Sequence, residues 1–442
     1  MPLPDRARTL KEAFQACKVG PLYGDSQKFY AELDAVRSPE AIQTVNTELE
    51  FLEPGQFETL LFTGHRGCGK STELRKLEQQ WSKDYRVIYC EVDEQIDVDD
   101  ADYTDIYLLL VKQVSDDLAR LNLSFNEKLL EEFESWFLEI TNETKETVLK
   151  SVSLEASAEV KIVIPFLSKL MSKLLSQVKG SHERKKQIRE VLQRNVGRLQ
   201  EDINKLLIDA FAKVQKKGYS KGFLVIFDNL DRVSPAAGDK LYFDHPTQIQ
   251  GLNCTIIYTV PISVVYSDKN LNNAFAQPNI VPMVDIYDLE MDCRDLKCNK
   301  SAVQKFANVI HQRIEVDAIF DDQELVDMLV VASGGHIRQL MQMTSNACLV
   351  ASTRKHQRVM QDDITYAIKK EQFNFERVIP ANHYPLIVQI CKVKRVEHSE
   401  DGQKMLFNTS VLEYEGNRRW NYVNPVIRRS EAFLEALSHA ND

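Results

Sequence analysis

The segment Gly64-His65-Arg66-Gly67-Cys68-Gly69-Lys70-Ser71 constrains this chain more than any other. Its glycines, lysine and hydroxyl keep one fixed spacing: a glycine, four residues, then Gly-Lys-Ser. It follows the apolar run Thr59-Leu60-Leu61-Phe62-Thr63 and leads into a helical pattern near Ser71, so the loop lies between a strand and a helix. In that setting glycines let the backbone curl until successive N–H groups point at phosphate oxygens, and the helix N-terminus adds its partial positive charge. Lys70 offers a cation to the β and γ phosphates, and the Ser71 hydroxyl is a ligand for Mg²⁺. The expected phosphate-binding residues are therefore Gly64, His65, Arg66, Gly67, Cys68, Gly69, Lys70, Ser71 and Thr72. A glycine-rich turn with an exposed lysine is the alternative, and the preceding strand argues against it.

Apolar runs with β-branched or aromatic content recur at 86–90, 223–227 and 254–259, separated by long helical patterns. That alternation predicts a mostly parallel sheet. A fifth run at 280–286 completes it, with Pro282 marking an edge or irregular strand. About 130 residues separate the second and third strands, far more than one crossover helix needs, so a helical subdomain is inserted at about 95–220. Within it, Ile106, Leu109, Leu110, Val114, Leu118 and Leu121 keep the spacing of one buried helix face, as do Val191, Val196, Leu199, Ile203, Leu206 and Leu207. The stretch 160–175 is apolar but carries Lys161, Lys169 and Lys173. It reads as packed on its own subdomain, with an amphipathic helix against a partner or membrane surface as the alternative.

Residues 300–370 read as wholly helical. After 380 comes a helix, then a hairpin turning at Glu415-Gly416-Asn417, then a last helix beyond Asn424-Pro425, the element order of a winged-helix module. The expected class is α/β: a P-loop NTPase parallel sheet core with a helical insertion, followed by an all-α lid and a winged-helix domain. The expected divisions are a helical N-terminal segment at 1–50, the core at 51–290, the lid at 291–375 and the winged helix at 376–442.

The strand at 223–227 ends in Asp228, which places a carboxylate where a nucleotide's Mg²⁺ needs one. Ser71 and Asp228 are the expected metal ligands. The next residue is Asn229, whose amide can orient a water but cannot take its proton. Asp231 is the nearest carboxylate for that step, or else a helix N-terminal acid or a partner of Arg232.

Charge excludes some functions. With 55 Lys plus Arg against 65 Asp plus Glu the net charge is −10, a field that repels nucleic acid and anionic membrane. Residues 91–146 carry 17 acidic and 4 basic side chains, whereas 179–221 carry 12 basic and 5 acidic. These segments either face each other or form two solvated helix faces. The eight cysteines form no Cys-x-x-Cys pair, which argues against disulfides and structural zinc. No stretch reaches the roughly 18 to 20 uncharged apolar residues of a membrane span, and the first residues lead into a charged segment rather than a signal-peptide core. The chain reads as cytoplasmic.

The loop at 64–71 and the strand ending Asp228-Asn229-Leu230-Asp231-Arg232 together resemble AAA+ type P-loop ATPases, in the branch of origin-recognition (replication-initiator) and STAND signalling ATPases. The Asp-x-x-Asp form is similar to that of STAND and KAP ATPases. Ser333-Gly334-Gly335-His336-Ile337-Arg338 resembles that branch's sensor-2 helix start, which implies a helix capped by 333–335 whose Arg338 reaches the γ phosphate. A surface arginine is the alternative. The resemblance also implies a polar sensor at Thr259, which otherwise reads as a strand-end hydroxyl, and an adenine pocket at Val19, Pro21 and Leu22. Asn229 departs from the family's common glutamate, so hydrolysis is expected to be slow or to depend on Asp231. Lys269 is the only basic residue between 263 and 280, where a ring-forming ATPase presents an arginine to its neighbour, so activation in trans is not expected unless Arg232 or Arg294 serves.

The expected function is an ATP-binding, ATP-hydrolysing switch with Mg²⁺ that acts through protein partners in a regulatory, signalling or defence assembly, with oligomers allowed. One alternative is a DNA-binding initiator using the winged helix, which the 8 basic and 8 acidic side chains of 380–442 do not favour. Another is a structural nucleotide-binding subunit without turnover.

Overall fold

The computed structural model describes residues 5–153 and 165–440. Five parallel strands form the sheet: β1 (Thr59–Gly64), β2 (Arg86–Glu91), β3 (Phe223–Asp228), β4 (Thr255–Pro261) and β5 (Asn279–Val281), in the spatial order β2-β3-β4-β1-β5. β3 and β4 are buried along their whole length because helices cover both faces of the sheet, which is why they read as continuous apolar runs. β4 is inserted between β1 and β3, with Gly64 opposite Pro261 and Phe227 opposite Tyr258. The carboxyl ends of β1, β3 and β4 therefore share one edge.

The fifth strand is shorter than its apolar run, 280–286, predicts. Pairing with β1 stops at Val281, since Pro282 has no N–H to donate. Met283 leaves the sheet and donates to the Glu413 carbonyl at 3.1 Å.

Alternate strand residues enter opposite cores, as a period of two requires. Leu60, Phe62, Leu224 and Ile226 pack with Leu74, Leu77 and the C-terminal half of the chain. Leu61, Val225 and Phe227 pack with helices between β2 and β3, among them Tyr103–Arg120, Glu127–Ile140, Phe166–Gly180, His182–Arg194 and Val196–Gln215. Of the apolar stretch at 160–175, residues 160–164 lie outside the described residues. The remainder packs against Tyr103–Arg120, and Lys173 pairs with Glu143.

The oppositely charged segments do face each other. Lys185 meets Asp97 at 2.9 Å and Asp100 at 3.2 Å, and Lys179 donates to the Glu94 carbonyl at 2.9 Å. Arg189 pairs with Asp100 and, deeper, with Asp105, whose carboxyl is pushed up to about 6 by burial. Among the described residues no helix is long and apolar enough to cross a membrane.

Residues 300–378 form helices, including Glu324–Ser333 and Ile337–Thr353. Beyond them come His383–Val393, Glu400–Phe407, the antiparallel strands β6 (Val411–Glu415) and β7 (Arg419–Val423), and Glu431–His439. Glu413 on β6 is buried between Tyr266, which donates to its carboxylate, and Arg419 at 3.9 Å. Burial pushes this carboxyl up to about 7 against both partners. The protonated form is thus favoured by folding, and its contribution is complete below pH 4.5 and lost as pH rises through about 7. Glu413→Gln keeps an acceptor for Tyr266 without titrating, so it should exceed wild type in thermal stability at pH 8 by about 1–3 kcal/mol and lose that advantage at pH 4. A series of melting curves between these limits checks this.

Candidate functional site

A cavity of about 490 Å³ opens at the carboxyl edge of the sheet, a size that suits a nucleotide. Its floor is the loop after β1. The walls are the ends of β2 and β3, residues 18–22, and the start of helix Ile337–Thr353. Lys18, Arg37, Arg66, Lys70, Arg232, Arg313 and Arg338 line it against Glu73, Glu91, Asp228 and Asp231. In a chain of net charge −10, seven cations against four carboxylates make this an anion-attracting pocket.

The loop is wrapped around Lys70. Its ammonium donates to the carbonyls of Gly64 at 2.8 Å and His65 at 2.9 Å, and pairs with Asp231 at 2.7 Å. Burial works against this charge, but Asp231, helped by Cys68 and Asp228, holds the lysine above its ordinary value. Gly67 has a φ of 92°, and a Cβ there would lie 2.6 Å from both the Arg338 Cβ and the His336 Cε1. Glycine is needed because helix Ile337–Thr353 docks directly on the loop, with the Arg338 N–H donating to the Gly67 carbonyl at 3.1 Å.

That helix is capped differently from the expectation. The cap is the His336 imidazole, whose Nδ1 accepts from the Gln339 N–H at 3.1 Å. Gly334 instead ends the preceding helix at a φ of 60°. Arg338 is therefore the second helical residue and reaches the cavity from its first turn. Among the described residues its Nε is buried without a hydrogen-bond partner. Burial pushes its pKa down, Asp231 opposes this, and Arg232 and Arg66 add to the fall. Such a guanidinium lacks negative charge, and a terminal phosphate supplies it.

Asp228 accepts from the Tyr89 hydroxyl at 2.6 Å and from the Asn229 N–H at 2.8 Å. Burial, then Asp231, push its carboxyl above the ordinary aspartate value. Ser71 and Asp228 both line the cavity, as a shared Mg²⁺ requires. Asn229 sits at a φ of 67° and donates its side-chain amide to Asp93 at 2.7 Å. Arg232 pairs with the same Asp93 and faces its own cavity.

Val19, Pro21 and Leu22 line the cavity, and the segment is pinned where the Leu22 N–H donates to the Thr72 hydroxyl at 3.1 Å. Three expected side chains do not reach the cavity. Thr259 is wholly buried behind it, donating to the Phe227 carbonyl at 3.1 Å and accepting from the Asp231 N–H at 3.3 Å, so it braces Asp231. The thiol of Cys68 is buried. His65 turns away altogether: its Nε2 accepts from the Glu413 N–H of β6 at 2.8 Å, and burial pushes its pKa down to about 3, so it stays neutral. At His65 and Cys68, then, the loop's backbone rather than the side chain is what faces the cavity's edge.

Several site residues were not foreseen. Tyr89 and Glu91 share one face of β2, and its alternation with buried Ile88 and Cys90 was the readable signal. Arg37, which donates to the Cys68 carbonyl at 3.0 Å and to Glu73 at 2.6 Å, has no local signature.

Asp231→Asn leaves the Lys70 ammonium buried without its counter-charge, a change that typically costs about 3–5 kcal/mol. The variant should melt lower than wild type without ligand and show a larger upward shift on adding MgATP, because phosphate then supplies the missing anion. Differential scanning fluorimetry reads both.

Among curated proteins, none matches this chain. Solved structures that resemble it are the Aeropyrum pernix ORC2 protein (11% identity, TM-score 0.39, 94% of this chain and 98% of that one) and Cdc6p from Pyrobaculum aerophilum (10%, 0.38, 95% and 100%). A third is a Walker-type ATPase of Pyrococcus abyssi (14%, 0.39, 96% and 99%). Identities and TM-scores this low transfer no function. A family model does match: over residues 42–242, which hold β1 to β3, the glycine-rich loop and Asp228, this chain is similar to the KAP family P-loop domain.

Proposed function

We propose that this chain is a slow, magnesium-dependent ATPase that works as a switch on a protein partner. The observation that carries the reading is the convergence of Lys70, Arg66, Arg232 and the under-partnered Arg338 on one cavity closed between a glycine-rich loop and a separate helix. The family match supports nucleotide binding over 42–242. Magnesium held by Ser71 and Asp228 would offset phosphate charge during transfer.

The remaining roles belong to the protein's own groups. Backbone N–H groups of the loop cradle the phosphates, and Lys70 exchanges Asp231 for a phosphate oxygen. Asp231, once released and braced by Thr259, becomes a carboxylate able to accept a proton from water. Asn229 orients that water, and its tie to Asp93 limits it to orientation. Slow turnover follows, because this acceptor must first leave its lysine. Arg338 ties the triphosphate to residues 291–375, read as a lid, and loss of the γ phosphate frees that lid and the winged-helix module at 376–442. Val19, Pro21 and Leu22 hold the base, read as adenine.

Phosphate-release assays test this. Wild type should turn over slowly and Lys70→Ala should lose nucleotide binding. Arg338→Ala should still bind ADP but lose most of its preference for ATP, with kcat down about 10²-fold or more. Bound nucleotide with no turnover in wild type, alone or with partners, would leave a structural ligand instead.

A further inference from the structure

A second large cavity, about 590 Å³, lies far along the chain from the phosphate loop, between helix His383–Val393 and the tip of the β6–β7 hairpin. Its floor is apolar, with Leu386, Ile390 and Val393 on one helix face, and Val393 is 48% exposed. Arg395, Arg418 and Arg419 stand around the rim, with Glu397 as the one carboxylate. Folding thus joins two basic sites more than twenty residues apart in sequence. Among the described residues Arg395 and Arg418 have no ion pair, and Arg419 has only Glu413 at 3.9 Å.

We infer that this groove binds an acidic, amphipathic helical segment of a protein partner, its apolar face on the floor and its carboxylates on Arg395 and Arg418. The inference rests on the switch reading only in taking the partner to be a protein. Charge complementarity selects an acidic occupant: three arginines with one carboxylate surround the groove in a chain that is otherwise strongly acidic. The aliphatic floor, on which Val393 is exposed, Leu386 half-buried and Ile390 buried, selects a side-chain-bearing helix over a phosphodiester backbone, whose interfaces are polar and highly charged. The fold also disfavours DNA. Helix Glu400–Phe407, which precedes the hairpin, packs on the core and ties the Gln403 amide to the Ser263 carbonyl at 3.0 Å. Its first turn carries Glu400 and Asp401, so it has neither the freedom nor the charge to enter a major groove.

The groove is also linked to the phosphate loop. Arg419 on the rim approaches the buried Glu413 carboxylate, and the Glu413 N–H is held by His65 of the loop. On the same strand, the Tyr414 hydroxyl donates to the Gly334 carbonyl at 2.5 Å, four residues before Arg338. A carboxylate that recruits Arg419 therefore acts on the strand fastened to both sides of the phosphate site.

The test uses a fluorescein-labelled, capped helical peptide of about 15 residues, Leu on one face and Glu on the other. Its lysine-for-glutamate version and a 20-base-pair duplex, a length of about two helical turns, serve as comparisons. Full-length protein should bind the acidic peptide at least about tenfold more tightly than the basic one. Arg395→Glu/Arg418→Glu and, separately, Val393→Asp should each weaken it about tenfold or more while keeping the wild-type thermal shift with MgATP. No binding of the acidic peptide, binding unchanged in both variants, or preferential capture of the duplex would overturn the inference. Absence of any MgATP shift in wild type would instead remove the switch reading, leaving the groove result to stand by itself.

Discussion

The ammonium of Lys70 is the group around which the rest of this structure is arranged. A buried cation survives only if its charge is met, and here two loop carbonyls and the Asp231 carboxylate meet it. The arrangement fixes the loop's curl, draws the end of β3 towards the end of β1 and keeps Asp231 engaged. In the proposed reading, a phosphate that takes over the lysine would release the Asp231 carboxylate in the same step, coupling binding energy to the freeing of a proton acceptor through one ion pair.

Sheet order makes that pairing sterically possible. With β4 inserted between β1 and β3, the loop and the aspartates flank a strand end. The Thr259 hydroxyl then lies where it can hold both the Phe227 carbonyl and the Asp231 N–H. The two faces of the sheet carry different cargo. One core holds the helices between β2 and β3, and the other the helices and hairpin of the C-terminal half. Asp93, just after β2, is bound by Asn229 and Arg232 from the site, while Lys179 from an inserted helix holds the carbonyls of Asp93 and Glu94. Both bodies thus connect to the cavity by hydrogen bonds, one through Asp93, which holds Asn229 and Arg232, and one through His65 of the loop and Arg338.

Much of the core was legible in the sequence because its signals are local. Strands β1, β3 and β4 appear as apolar runs since helices bury both of their faces, whereas the edge strand β2 alternates buried and half-buried residues; the loop appears as a fixed spacing since successive amides must face one ligand. The acidic and basic blocks at 91–146 and 179–221 were legible as blocks, but two solvated faces fitted them equally, and only the fold decided that they pair. β5 was overextended because an apolar run continues past Pro282 into residues buried by the hairpin rather than by the sheet. The His65 side chain departs from the expectation because a motif specifies where backbone N–H groups go, not where an intervening side chain points. Its partner is a backbone N–H 348 residues away. The cap of helix Ile337–Thr353 was placed on Ser333 to Gly335, whereas a histidine ring accepts the N–H, a use of imidazole that depends on its being buried and neutral.

By itself the sequence determined a parallel α/β core with a phosphate-type loop, an acidic chain and a helical, hairpin-bearing C-terminal half, all set by periodicity and short-range chemistry. Tertiary structure alone decided that Lys70 meets Asp231, that Tyr89 holds Asp228, that Arg338 is short of an anion and that two distant arginine sites rim one groove. Each of these depends on which strand ends and helix faces become neighbours. That is fixed by the burial of whole surfaces, which no spacing along the chain encodes.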